Sequence, residues 1–272
     1  GESVAVASAE TAANYRLNGG ATVSSAVLEP DGRNVRLTVS PLTFGQTYTL
    51  TVSGVTDRAA TPNPIASNSA RSFVAIEYTP TDVGSPVPAG GVVRLGVGQF
   101  DVTGGGSDIG GQRDQFQFAA EQRTGNFDVQ ARLDGVTITD PFLHAGLMAR
   151  ESLAENSRFA AVFASSAQLG CFFESRSTTG GKASTAAQRG GFPVNYPQTW
   201  LRLRRQRSVF TGFSSLDGVS WSPLGSMTLA SAPDTLYFGL AVASFDAATG
   251  ATARFRDVGP AVSTVEAPWV ND

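Results

Sequence analysis

Short apolar runs built on Val, Thr and Phe, each broken by Gly, Asn, Asp or Ser, recur from one end of this chain to the other. Such a pattern leaves few choices. β-Branched and aromatic residues at alternate positions suit a pleated, half-buried ladder, and frequent breakers deny a helix its length. In Asn34–Val39 the residues Val35, Leu37 and Val39 share one face, and in Thr47–Val52 so do Tyr48, Leu50 and Val52. Segments rich in Lys, Glu and Leu are missing, while the 272 residues include 30 Gly and 14 Pro. The chain is therefore expected to be all-β, strands joined by turns.

Charge narrows the partners. The formal net charge is -3, and the one compact basic run is Arg202–Arg207. Its spacing inside a strand pattern makes it a solvated sheet face. Nucleic acid would want a wider positive field, so it is excluded as a partner. No transmembrane stretch, signal peptide or lipidation site is visible, and no membrane insertion is expected; the abrupt start at Gly1-Glu2-Ser3 is compatible with targeting sequence upstream. The single cysteine, Cys171, has no internal partner and sits in the apolar run Leu169–Phe173, where it reads as a small buried hydrophobe. Scarce cysteine fits a bacterial extracellular or cell-surface location.

Composition divides the chain into a first domain at 1–75, a linker at 76–92 marked by three prolines, a larger domain at 93–260 and a tail at 261–272. In the first domain Asn14–Leu17, Asp31–Val35, Pro41–Leu42, Tyr48–Val52 and Val55–Arg58 follow in order. Together they resemble bacterial immunoglobulin-like domains. That resemblance implies a small sandwich serving as spacer or adhesive module. Such domains usually begin with a strand ahead of this point, and here the chain enters almost at Ser8-Ala9-Glu10, which suggests either a fragment of something longer or an edge strand supplied in another way.

In the second domain the ordered segments are Val102–Ile109, Asp114–Phe116, Thr139–Phe142, Ala145–Leu153, Trp200–Leu203, Asp217–Trp221 and Gly239–Val242. They resemble a concanavalin A-like or laminin G-like module of bacterial secreted proteins. The implied fold class is a small immunoglobulin-like sandwich plus a larger concanavalin A-like, jelly-roll β-sandwich. That fold carries sugar-binding, protein-binding and purely structural members, so function has to come from a site.

No catalytic centre is legible. Glycoside hydrolysis needs two carboxylates across a cleft, and the acids Glu151, Glu155 and Glu174 are scattered. The only histidine, His144, lies near a turn and reads as a rim residue, and no Gly-x-Ser-x-Gly elbow exists. A structural calcium ion is one expectation, held by Asp108 and Asp114 around the Gly110-Gly111 turn and by Asp257 after the last strand. The alternative is that Asp108 and Asp114 cap their own turns.

For ligand binding, period-two spacing groups Met148 with Arg150, Phe172 with Glu174 and Arg176, and Trp200 with Arg202 and Arg204. On an outward concave face Arg150, Arg176 and Arg202 would hydrogen-bond sugar hydroxyls or a uronate, beside an aromatic platform. The alternative pairs them with Glu151 or Glu174 on a solvated sheet. The long segment 178–199, with Arg189-Gly190-Gly191-Phe192 and Tyr196, would rim that face, with Phe192 and Tyr196 either touching ligand or anchoring the loop.

The function expected first is a non-catalytic carbohydrate-binding region of a larger secreted or surface protein, with a polysaccharide or glycan and other domains of the same chain as partners. A structural or adhesive spacer is the alternative, and a polysaccharide-active enzyme comes third.

Overall fold

The alternating runs form strands, and little else forms. The computed structural model describes residues 3–28, 32–40, 42–43, 46–75, 78–186, 191–261 and 265–266. Asp31, Pro41, Arg189, Gly190 and most of the tail at 261–272 lie outside the described residues. The chain divides into two units, Gly1–Glu77 and Tyr78–Asp272.

In the smaller unit a four-residue helix, α1 (Val6–Ala9), precedes five strands: β1 (Tyr15–Leu17), β2 (Val23–Leu28), β3 (Val35–Val39), β4 (Thr47–Val52) and β5 (Ser69–Val74). Order β1-β4-β5 makes one antiparallel sheet, and β2 pairs with β3. Tyr15, Ala26 and Val55 are the buried centre, with Val35, Leu37 and Leu50 packed against them. The Tyr15 hydroxyl donates to the Ala9 carbonyl at 2.8 Å, which ties the helix to the sheet.

The larger unit contains β6 (Thr79–Val83), β7 (Gly91–Gly96), β8 (Gln99–Gly106), β9 (Phe116–Thr124), β10 (Phe127–Val136), β11 (His144–Arg150), β12 (Phe159–Ala164) and β13 (Cys171–Arg176). It continues with β14 (Ser184–Ala186), β15 (Thr199–Gln206), β16 (Val209–Ser215), β17 (Ser220–Thr228), β18 (Thr235–Ala243), β19 (Asp246–Pro260) and β20 (Val265–Glu266). Two sheets result, one of order β20-β17-β16-β15-β10-β19-β8-β7 and one of order β14-β13-β12-β11-β18-β9-β6. The described helices are too short to cross a membrane.

Part of the stretch expected as linker is strand. β6 pairs with β9, and β7 with β8, each at the end of its sheet. Pro80 is no obstacle there, because an edge strand has one side on which a missing N–H breaks no ladder bond.

The two sheets meet closely where side chains are smallest. A methyl group on Gly212 would lie 2.6 Å from a Phe173 ring carbon and 3.2 Å from Val162 Cβ. One on Gly225 would lie 2.8 Å from Phe173 Cβ. Phe173 and Val162 of the seven-stranded sheet therefore fill space that the glycines of β16 and β17 leave open. Their sequence neighbours Phe172 and Phe163 point the other way, because strand side chains alternate. That outer face forms a second apolar layer with Phe116, Phe118, Met148 and Phe159.

Candidate functional site

The outer face of the seven-stranded sheet carries the residues that the spacing grouped. Register aligns Arg150 with Phe159 and Phe159 with Arg176, then Met148 with Ala161 and Ala161 with Glu174. The grouping of Phe172 with Glu174 and Arg176 on one face is thus present. The expected solvent exposure is not. Arg150 and Arg176 are both 0% exposed, because the β8–β9 loop folds over this face and buries Ile109 in the layer.

Asp114, at the end of that loop, fastens it. Its Oδ1 lies 2.5 Å from Arg176 Nη2, its Oδ2 2.8 Å from Arg176 Nη1 and 3.3 Å from Arg150 Nη1. Arg176 also donates to the carbonyls of Gly111, Ser157 and Gly181, so one guanidinium holds three loops. Arg150 donates to the carbonyls of Ser152 and Ala154. Burial pulls the Arg150 guanidinium down to about 10, with Asp114 opposing the shift. Only a planar, multi-donor cation serves so many acceptors at once. These arginines build the loop layer, and as they stand neither presents an exposed face.

Arg202 stands on the other sheet, in β15, and not beside Arg150 and Arg176. It is 1% exposed, bonds Asp128 through two nitrogens at 2.6 Å and lies over the rings of Phe213 and Trp221. Phe192 and Tyr196 are half-buried anchors of their loop. The Phe192 carbonyl accepts from Cys171 N–H at 2.8 Å, and the Tyr196 hydroxyl donates to the Ser165 carbonyl at 2.8 Å.

Asp108, Asp114 and Asp257 do not converge. Asp114 is saturated by arginines, and Asp257 accepts from Arg132 Nε at 2.8 Å in the eight-stranded sheet. Among the described residues no group of three or more His, Cys, Asp or Glu is placed to hold a metal ion. As a ligand set for calcium these three aspartates do not fit.

Asp108 opens a different site. His144 begins β11 and is 2% exposed, not a rim residue. Its Nε2 lies 3.2 Å from Glu174 Oε2, and its Nδ1 has no hydrogen-bond partner. The imidazole stands edge-on to Phe163 and Phe172, at 4.8 and 5.3 Å between centroids. Phe245 lies more nearly parallel to it at 6.4 Å and 28°, and Phe142 packs on Phe245 at 5.6 Å. Phe142 is 44% exposed and Phe245 partly so.

Local chemistry sets these positions. Phe142 leaves the Asp140–Pro141 turn, where its N–H donates to Asp140 Oδ1 at 2.7 Å. Phe245, at the β18–β19 junction, has φ of +59°, a conformation that costs a bulky residue about 1–3 kcal/mol. Gly110, at φ +147°, lets the loop backbone lie against Glu174. A methyl group there would sit 2.9 Å from Glu174 Oε1 and 3.6 Å from Asp108 Oδ2, so both carboxylates border the same spot. Burial pushes the Asp108 carboxyl above the usual carboxylate range; His144 opposes the shift, and Glu174 and Asp114 add to it.

Sequence spacing paired neither Phe142 nor Phe245 with His144. The signals were present: an aromatic after Asp-Pro just before the only histidine, and a bulky residue in the tight Ser244-Phe245-Asp246 connection. A hollow of about 460 Å³ lies away from this site, at the far end of β9, lined by Gly125, Asn126, Arg205 and Ser231 among others. Its Arg205 is saturated by the carbonyls of Arg207, Pro233 and Asp234. That hollow is polar and has no aromatic ring among its lining residues, whereas the Asp108–His144–Glu174 end joins polar groups to exposed rings and is the candidate site.

No protein-family model matches the chain, and no curated protein matches it in sequence. Solved structures do. A functionally unknown protein from Saccharomyces cerevisiae is 18% identical, with 67% of this chain and 95% of that one covered and a TM-score of 0.51. The carbohydrate binding module CBM66 from Bacillus subtilis is 19% identical over 68% of this chain and 97% of that one, with a TM-score of 0.42. A GH43 protein from Bacillus licheniformis is 12% identical over 89% of this chain and 51% of that one, with a TM-score of 0.45. The first of these likenesses is close enough to establish a shared fold: the chain is an all-β protein of the same architecture as the yeast protein over the matched region.

Proposed function

We propose that this chain binds carbohydrate without transforming it, as a module of a larger extracellular protein, and that the sugar docks at Phe142, Phe245 and Asp108. One observation carries the reading. A partly exposed aromatic pair lies beside a carboxylate–imidazole pair that is 3% and 2% exposed, with an imidazole nitrogen left unpartnered. Sugar rings present C–H faces that stack on aromatics and hydroxyls that seek acceptors, and this site supplies both at one place.

The placement of the acids supports binding without turnover. A glycosidase needs two carboxylates free to flank the scissile bond. Here Glu174 lies beneath the surface against His144, and Asp108 alone reaches solvent.

The test is titration calorimetry of the intact chain against a panel of soluble polysaccharides, repeated with Phe142→Ala and Phe245→Ala. A glycan should bind, and each variant should weaken it about two- to tenfold, the scale of one lost aromatic stack. Binding that both variants leave unchanged would remove the site from consideration.

A further inference from the structure

Three connections border the hollow at the far end of β9: Gly125-Asn126 between β9 and β10, Arg207-Ser208 between β15 and β16, and the stretch with Ser231 and Asp234 between β17 and β18. Hydrogen bonds fix them to one another. Gly125 N–H donates to the Asp234 carbonyl at 2.9 Å, and Asn126 Oδ1 accepts from Arg207 N–H at 2.6 Å. Arg205 donates to the carbonyls of Arg207, Pro233 and Asp234 at 2.8, 2.7 and 2.8 Å. Two features go beyond holding these turns together. Arg207 is the first central residue of a two-residue hairpin closed by the Gln206–Val209 pair, and its φ is +59°. Hairpins give such a position to Gly, Asn or Asp, because a larger side chain crowds the backbone. The arginine kept there is exposed, and among the described residues its guanidinium has no hydrogen-bond or ion-pair partner. The second feature is Arg205, 4% exposed, whose partners are all neutral carbonyls. Burial pulls its guanidinium below the ordinary arginine value, and Asp234 is the charge that opposes the shift.

We infer that this hollow is a second binding site and that it takes an oxyanion, a carboxylate or sulfate, free or carried on an acidic sugar. Its lining sets two guanidiniums against the one carboxylate of Asp234. The adjacent ion pairs leave that balance as it is. Arg123 of β9 pairs with Glu121, and Arg158, which donates to the Ala230 carbonyl, pairs with Glu151. Arg207 offers a planar fork of donors that matches the two oxygens of such a group. The hydroxyls of Ser208 and Ser231 and the amide of Asn126 add neutral donors around the same space. An anion seated there also brings the counter-charge that the carbonyls around Arg205 do not provide. Since Arg207 stands in solvent, binding is weak and falls with salt. The hollow shares no residue with the Phe142 and Phe245 platform, so the two sites stand or fall separately.

The experiment is an NMR titration of the intact chain at low salt, following the backbone amides of Gly125, Asn126 and Arg207. The probes are inorganic sulfate, a β-linked uronate oligomer and its neutral counterpart of equal length. Sulfate and uronate should shift these amides in a saturable way, and the neutral sugar should not. Arg207→Gly removes the guanidinium and gives the turn the residue its φ favours, so the fold should hold while affinity for sulfate falls about tenfold. Asp234→Asn should instead tighten binding about two- to fivefold, the scale of one charge in solvent. Phe142→Ala should change neither value. Uronate binding alongside sulfate would assign the seat to an acidic sugar, and sulfate binding alone to a free ion, and either supports it. Equal shifts with the neutral sugar, an affinity that Arg207→Gly leaves intact, or no shift from any probe would overturn it.

Discussion

Asp108 and Asp114 lie on the same loop, and the molecule treats them in opposite ways. Asp114 is 0% exposed and meets two guanidiniums, so its charge is compensated and every oxygen is bonded. Asp108 is partly exposed, with a histidine and a second carboxylate as its electrostatic neighbours and no arginine among the causes of its shift. The first arrangement closes the outer face of the sheet. The second leaves an electrostatic demand at its end. Perturbed groups without full compensation cluster at functional sites, whereas a compensated buried pair is a feature of architecture.

The largest expected effect breaks the compensated end. Asp114→Ala strands Arg150 and Arg176 in an apolar layer, and removal of one partner from a buried pair costs about 3–5 kcal/mol. The urea midpoint of the larger unit should fall accordingly. An unchanged midpoint would mean that the arginines find other acceptors and that the loop is not fastened by Asp114.

At the other end, Phe142→Ala should leave stability within about 1 kcal/mol, because the ring is already half in solvent, while glycan affinity drops. The contrast sharpens if the two variants separate cleanly, one in unfolding and the other in binding. A large stability loss with Phe142→Ala would make the aromatic pair a plug instead of a platform.

A smaller effect concerns pH. The folded Asp108 carboxyl is raised, so the folded state holds that proton more tightly than the unfolded chain does. The stability this contributes is complete below the ordinary carboxylate value and is lost as pH climbs through the raised value. Stability of the unaltered protein should therefore decline across that window, and Asp108→Asn should flatten the decline. Denaturant melts at closely spaced pH values would show it, and parallel curves for the two proteins would refute it.

The smallest effect belongs to Arg113, whose pair with Glu155 stands largely in solvent. Arg113→Ala should change stability by no more than about 0.5 kcal/mol, which makes it the control for charge removal on this loop.

Much of this was legible in the residues. Period two placed Phe172, Glu174 and Arg176 on one face, and the Asp217-Gly218 turn joins β16 to β17 as its sequence implies. There Asp217 Oδ1 accepts from Val219 and Ser220 N–H at 2.8 and 2.7 Å, which holds its carboxyl well below the usual range. What periodicity cannot carry is the cover over a face. Arg150 and Arg176 read as solvent-facing because the loop that buries them is distant in sequence, and its fastening residue, Asp114, looked like a metal ligand or a turn cap. Pro80 suggested a linker because composition does not distinguish an edge strand from a connection. Phe142 and Phe245 come from different turns, and their meeting over His144 is a product of strand order.

His144 is the only histidine in the chain, so its imidazole gives a single resolvable signal in NMR. Titrating the glycan that binds most tightly while following that signal tests the central claim directly. A ligand seated beside Asp108 and Phe245 should shift the His144 resonance in a saturable way, with the same midpoint that calorimetry gives. Saturable binding that leaves the His144 signal in place would put the sugar elsewhere on the molecule and contradict the account.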